Sequence, residues 1–136
     1  MSTRKFIPTP EWEDARQVRG LVGEHVAMAY LISAGWEIEA HRFRLGHQEV
    51  DLIARRGSVV AFVEVKTRRG DTHGSGLEAV SRRKQLAISR VAEIWRLRFG
   101  RAGDTYRFDL IAIRDGNPGD QPVVEHVEGA WAIDRR

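Results

Sequence analysis

The stretch from Glu49 to Arg68, EVDLIARRGSVVAFVEVKTR, leaves this chain few choices. Two apolar runs of strand length flank Arg56-Gly57-Ser58, which is the pattern of a β-hairpin. Side chains alternate between faces along a strand, so Glu64 and Lys66 share a face. A two-residue loop at Gly57-Ser58 sets Asp51 directly across from Glu64, and Glu49 across from Lys66. A loop at Arg56-Gly57 slides the pairing by two positions and still keeps Asp51, Glu64 and Lys66 together. Only an odd-length loop or a bulge would part them. Ile53, Val60 and Phe62 fall on the charged face, and Leu52, Ala61, Val63 and Val65 on the other. Both faces are apolar, so this hairpin must be covered on both sides inside a sheet. Charges at the rim of such a sheet are costly unless paired or bound to an ion. On these residues alone a structural ion pair of Lys66 with Glu64 or Asp51 explains them as well as a reactive site does.

The rest of the chain fits one α/β domain of 136 residues. Thr9 as N-cap, Pro10 at the first helical position and the acids Glu11, Glu13 and Asp14 open a helix that runs to about Ala34, with a break allowed near Gly20. Val22, Val26 and Ala29, with Met28, Leu31 and Ile32, recur at helical spacing, and Glu24 stands among them. Trp36 to Leu45 reads as a strand, and Gly46-His47 as the turn into the hairpin. Thr67 to Gly76 is a basic, glycine-rich loop. Ser75-Gly76-Leu77-Glu78 has capping-box spacing and opens a second helix to about Phe99, with Val80, Ala87, Val91, Ile94, Trp95 and Leu97 on its apolar side. Tyr106 to Arg114 is a further strand, and Val123 to Val127 a short last one, with Trp131 closing over the core. The order helix, three-strand meander, helix, strand and a possible fifth strand gives a central mixed β-sheet with helices on its faces.

There is no cysteine, so disulfides and thiolate metal sites are excluded. No run is long enough to span a membrane, and the first residues lack the apolar core of a signal peptide, so the expected location is cytoplasmic. The net charge is only +3, but it is unevenly spread. Arg42, Arg44, Arg55, Arg56, Lys66, Arg68, Arg69, Arg82, Arg83 and Lys84 crowd the middle, while acids gather near both ends. A basic centre around carboxylates points to a polyanionic partner, with nucleic acid the commonest.

Glu24, Asp51 and Glu64 from separate elements would form a hard oxygen site suited to Mg²⁺ or Mn²⁺. Lys66 could hold an attacking water or offset charge on a phosphate, and the implied chemistry is phosphodiester hydrolysis. No Ser–His–Asp array, phosphate-cradling glycine loop or HExxH helix competes with it.

Asp51 followed by Glu64-Val65-Lys66, after a helix bearing Glu24, resembles the PD-(D/E)XK nuclease superfamily, and within it the archaeal Holliday-junction resolvases. The closer resemblance is to the bacterial YraN family. It rests on Gly20-x-x-Gly23-Glu24 with Ala27, Tyr30-Leu31 and Gly35; on Glu49 to Ala54; on Phe62 to Arg68; on Ala79-Val80 followed by Lys84; on Arg107-Phe108-Asp109; and on His126 and Ala130-Trp131. It covers about Gly20 to Trp131, and Gln48 departs from it where glycine is usual. Residues 1–18 are then an N-terminal extension to a single domain at 19–136. The resemblance implies a restriction-endonuclease-like core and divalent-metal nuclease chemistry. By carry-over, Asp51, Glu64 and the Val65 carbonyl are metal ligands, Lys66 is the catalytic lysine and Glu24 an auxiliary acid. Glu49 is an alternative ligand or a salt-bridge partner of Lys66. Arg42, Arg44, Arg68, Arg69, Arg82, Arg83 and Lys84 would form the nucleic-acid surface. The leading expectation is an endonuclease acting on DNA, branched or single-stranded, with a homodimer suiting two symmetric scissile strands. The alternatives are a nucleic-acid-binding module with little or no turnover, and a protein-interaction domain.

Overall fold

A computed structural model describes residues 15–69, 80–115 and 119–132, with side chains from 20 to 68, 80 to 114 and 119 to 132. The expected helix start at Thr9-Pro10 and the capping box at Ser75 to Glu78 lie outside the described residues. Helix α1 spans Ala15–Ser33 and passes Gly20 without a break, so it begins within the segment read as an extension. Strands β1 (Glu37–Leu45), β2 (Gln48–Arg56) and β3 (Val59–Arg69) follow as an antiparallel meander. Helix α2 (Arg82–Phe99) then crosses to β4 (Thr105–Asp115), which lies parallel to β3, and β5 (Val123–Trp131) returns antiparallel. The sheet order is β1-β2-β3-β4-β5, so the expected mixed sheet is present.

The hairpin turn resolves the register. Arg56 pairs with Val59, which leaves Gly57-Ser58 as the loop. Gly57 takes φ +62 and is the first central residue, as a type II′ turn requires.

Each helix covers one face. Under α2 lie Ala40, Phe43, Val50, Ile53, Val60 and Phe62, meeting Ile88, Val91, Ala92 and Trp95. Under α1 lie Trp36, Leu52, Ala54, Ala61, Val63, Ile111 and Ile113, meeting Ala27 and Leu31. The buried stripe of α2 therefore runs 88, 91, 92, 95, while Leu97, expected on the apolar side, is exposed. On α1, Leu21, Ala27 and Leu31 are buried and Val22 and Ile32 are exposed. Glu24 falls on the buried stripe at helical spacing, a charge where an apolar residue would be expected. At Gly23 the helix presses so close to β3 that a Cβ would collide with Thr67 Oγ1.

Candidate active site

The site begins where a ladder ends. The β2–β3 pairing runs from Arg56↔Val59 to Leu52↔Val63 and stops. One step further, the same register would set Asp51 across from Glu64 and Val50 across from Val65. Side chains take over there instead. The Asp51 N–H donates to Glu64 Oε2 at 3.2 Å, and the Val65 N–H donates to Asp51 Oδ2 at 2.8 Å. Beyond this point β2 stays with β1 as far as Gln48, and β3 stays with β4 as far as Arg69. The sheet forks, and the two carboxylates sit in the fork. A strand residue presents its N–H and C=O to the same edge, so the Val65 carbonyl also faces the gap.

Each carboxylate has one oxygen pinned by main chain and one left over. Glu64 is fully buried, and its Oε1 has no hydrogen-bond partner. Lys84 Nζ stands 2.9 Å from Oε1, so the one partner of that oxygen among the described residues is a cation reaching in from α2. Asp51 Oδ1 has no hydrogen bond among the described residues. Other carboxylates of this protein are treated differently. Asp109 is filled on both oxygens by Arg107, His126 and the Gly129 N–H. Asp104 is gripped by Arg55 through two hydrogen bonds at 2.7 and 2.9 Å, which hold its carboxyl down at about 2. Buried polar groups are normally satisfied, so the buried Glu64 Oε1, which no backbone donor fills, calls for an explanation, and the part-buried Asp51 Oδ1 lies beside it without a protein donor.

The electrostatics agree. Burial pushes the Asp51 carboxyl well above the usual carboxylate range, and the charges of Glu64 and Glu24 push it further, against the opposing pull of the Val65 N–H and Lys84. Burial would lower the Lys84 ammonium, but the adjacent Glu64 more than reverses this and holds it above its ordinary value. The fork is short of positive charge even with Lys84 in place.

Glu24 borders the fork but is occupied. His41 Nε2 lies 2.6 Å from its Oε1, and Arg42 donates from Nε at 2.8 Å and from Nη2 at 3.3 Å. Burial raises its carboxyl, but these hydrogen bonds and the Arg42 charge outweigh burial and leave it below the ordinary carboxylate value. Consecutive strand residues should face opposite ways. His41 and Arg42 both reach Glu24 because Arg42 adopts φ 55, the left-handed region that a non-glycine residue enters at a cost of about 1–2 kcal/mol. Arg42 is therefore turned inward, and is not the open nucleic-acid contact that its place in the basic run suggests. Among the described residues no three His, Asp or Glu side chains form a metal-holding group. The oxygen site expected from Glu24, Asp51 and Glu64 is thus reduced to Asp51, Glu64 and the Val65 carbonyl, with Glu24 as a neighbour that stays charged.

Glu49 pairs across the strand with Arg44 at 3.1 Å, not with Lys66. Lys66 is half-buried and makes no ion pair with a described residue. Arg68, Arg82 and Arg83 are exposed, and the side chain of Arg69 lies outside the described residues. Arg55 is buried between Glu39 and Asp104 and leaves the basic surface, whereas Arg56 stays exposed over the Trp36 ring.

Two features escaped the sequence reading. The His41–Arg42 clamp depends on a positive φ that no residue type announces. Lys84 as the partner of Glu64 had a weak signal. Ser81 caps α2 through the Lys84 N–H, so Arg82, Arg83 and Lys84 fill the first turn of a helix that has no acid there. Cations at that end oppose the helix dipole, each at about 0.3–1 kcal/mol. A lysine held there against the dipole has a partner to find.

A sequence profile for a family described as uncharacterised protein family UPF0102 matches residues 23–113, which include Glu24, Asp51, Glu64, Lys66, Lys84 and Asp109. The chain belongs to that family. A UPF0102 protein of Rhodococcus jostii is 46% identical over 112 residues, spanning 82% of this chain and 94% of its own. One from Geobacter sulfurreducens is 39% identical over 127 residues, 93% of this chain and 98% of its own. One from Symbiobacterium thermophilum is 40% identical over 100 residues, 74% and 85% of the two chains. The expected YraN-like kinship is thus established. UPF0102 membership fixes kinship over nearly the whole length and leaves the chemistry to be argued from the fork. No helix among the described residues is long and apolar enough to cross a membrane.

Proposed function

We propose that this UPF0102 protein is a divalent-metal-dependent endonuclease that hydrolyses phosphodiester bonds of DNA, on a PD-(D/E)XK, restriction-endonuclease-like core. The observation that carries the reading is the fork. Asp51 and Glu64 each have one oxygen fixed by a backbone N–H and one left without a hydrogen bond, beside the Val65 carbonyl. Three hard oxygens where the β2–β3 ladder ends fit Mg²⁺ or Mn²⁺, which keep several waters and need few protein ligands. Such an ion would acidify a bound water and stabilise charge developing on the phosphorane-like oxygens.

The side chains do the rest. The reciprocal backbone bonds fix the rotamers of Asp51 and Glu64 before any ligand arrives, which is the preorganisation a reaction centre needs. Lys66 shares the Glu64 face by strand alternation and is uncommitted among the described residues, so its ammonium can orient a nucleophilic water or meet a non-bridging phosphate oxygen. Glu24 keeps Arg42 and His41 drawn in behind Asp51. Arg68, Arg82 and Arg83 offer exposed charge to the polynucleotide backbone. DNA with single-stranded or branched character is the proposed substrate, a cytoplasmic setting is the proposed location, and a homodimer would present two forks to two strands of a junction.

A second reading has its own support. Lys84 already sits on Glu64, and among the described residues no third carboxylate joins the cluster, which is what a nucleic-acid-binding module with little turnover would show. Cleavage separates the two. Single-stranded and four-way-junction DNA are incubated with Mg²⁺ or Mn²⁺ and wild type, Glu64→Ala or Lys66→Ala. Metal-dependent cutting by wild type alone supports the endonuclease. Equal cutting by all three removes it, and salt-sensitive binding without cutting selects the binding module.

A further inference from the structure

Among the described residues Lys84 is the one cation in contact with the pair, and it comes from the opposite layer to Glu24. Its Nζ lies 2.9 Å from Glu64 Oε1, the oxygen that the fork leaves without a hydrogen bond. Glu64 is fully buried, whereas the Lys84 side chain is 42% exposed. The acid is fixed by the Asp51 N–H, while the base rests on a flexible four-carbon stem with water on one side. The first turn of α2 also works against keeping a cation there, since Arg82, Arg83 and Lys84 crowd the positive end of the helix dipole.

We infer that Lys84 is a displaceable counter-ion of the site: it holds Glu64 Oε1 in the empty protein and moves to a backbone phosphate of the nucleic acid when Glu64 takes a divalent ion. The inference rests on the endonuclease reading and adds the order of events to it. Lys84 Nζ and a divalent ion at the same Glu64 oxygen repel, so each weakens the hold of the other. A phosphate within reach of α2 offers Lys84 another anion, close to Arg82 and Arg83 and better placed relative to the dipole. Nucleic acid therefore draws Lys84 off Glu64, and the vacated oxygen binds metal more tightly. By linkage, metal strengthens nucleic-acid binding by the same factor. Metal and DNA would assemble together on the fork, and either alone would bind weakly. Lys84 is then a positioning residue for metal loading, and Lys66 remains the lysine facing the reacting phosphate.

The test measures Mn²⁺ affinity directly, by electron paramagnetic resonance of free Mn²⁺ or by calorimetry, on full-length protein. Each variant is titrated alone and with a phosphorothioate single-stranded oligonucleotide that resists cleavage. Lys84→Met should bind Mn²⁺ about tenfold more tightly than wild type without DNA, as expected for removing a positive charge at contact distance. Lys84→Arg, which keeps the charge, should stay near wild type. The oligonucleotide should tighten Mn²⁺ binding to wild type severalfold and leave Lys84→Met almost unchanged. If wild type binds Mn²⁺ and a folded Lys84→Met binds it no better, the counter-ion role is overturned while the metal site stands. If Lys84→Met does not fold, Lys84→Gln is titrated under the same criterion. If no variant binds Mn²⁺ with or without DNA, the endonuclease reading falls, and the counter-ion inference with it.

Discussion

Asp51→Asn should make the metal-free protein more stable while removing its metal binding. The substitution keeps the shape and can keep the bond from the Val65 N–H, through the amide oxygen. The amide nitrogen then takes the place of Oδ1, and the charge that faces Glu64 is gone. Directly opposed strand residues have Cβ atoms about 5 Å apart, so two carboxylates in the fork repel by about 3 kcal/mol at an effective dielectric constant of roughly 20. The Lys84–Glu64 pair screens part of this. The expected gain is about 1–2 kcal/mol, or roughly 3–6 °C in Tm for a chain of this size. The sign with pH follows from the raised Asp51 carboxyl. An aspartate whose folded pKa lies above its unfolded value of about 3.9 protonates first in the folded state. It therefore destabilises the fold at neutral pH, and that destabilisation fades as pH falls through the folded pKa. The advantage of Asp51→Asn in EDTA should thus be greatest above the folded pKa and should shrink on acidification toward pH 4. Thermal unfolding with and without Mn²⁺ reads both effects. Saturating Mn²⁺ should raise the Tm of wild type and leave the variant where it was. A lower Tm for Asp51→Asn in EDTA would refute the reasoning, because it would make Asp51 a structural cap whose charge the fold needs.

Glu24→Gln should act in the opposite sense. It leaves Arg42 half-buried with a neutral partner, so it should cost about 1–3 kcal/mol at pH 7 in urea unfolding. Because the Glu24 carboxyl is held below its ordinary value, the wild-type advantage is full above the unfolded pKa of about 4.3 and is lost as pH falls through the folded one. A cost that does not shrink in acid would remove the clamp from the account. Gly23→Ala tests the packing of α1 on β3. Helix propensity alone predicts a gain of up to about 1 kcal/mol. The collision with Thr67 Oγ1 predicts instead a loss of about 1–3 kcal/mol. Pairing it with Thr67→Ala should recover most of that loss, and additive losses in the double variant would show that the two residues do not meet.

Much of the framework was legible because the hairpin obeys simple alternation. Val60 to Val63 are wholly buried, as two apolar faces require, and the Gly57-Ser58 loop was one of the two registers the turn residues allow. Ser81 shows the limit of local patterns. It caps α2 through the Lys84 N–H, with a lysine three residues on where a capping box has glutamate or glutamine. The last strand reads four residues short from sequence because Gly129 at φ 58 breaks its alternation. There the β4–β5 register shifts, and Asp109 takes the Gly129 N–H. In the site, parity placed Asp51 and Glu64 together. It could not show that the ladder stops at Leu52↔Val63, because that depends on two carboxylates outcompeting main-chain carbonyls. It also could not show which basic residues turn inward. Arg42 and Arg55 look like Arg68 and Arg83 in a composition count, yet both are spent on internal acids, while Arg56 stays exposed over Trp36.

The position of the unsatisfied oxygens is itself informative. They lie where the β2–β3 ladder ends, on Asp51 of β2 and midway along β3 at Glu64, whose preceding residues Val60, Ala61, Phe62 and Val63 are fully buried between both helices. Burial of side chains such as Phe62 and Val63 contributes roughly 1.5–3 kcal/mol each, enough to offset a repulsive pair a few residues away. The same burial denies the strand the freedom to relax that repulsion. A carboxylate pair on a loop would swing apart, whereas here each acid is bonded to the backbone of the facing strand and the strands are clamped by the core. Geometry that keeps like charges together at a standing cost fits a site selected for binding a cation better than one selected for stability. Asp104 and Asp109 make the contrast within the same molecule, since each acid placed for stability has its oxygens filled by arginine, histidine or backbone donors.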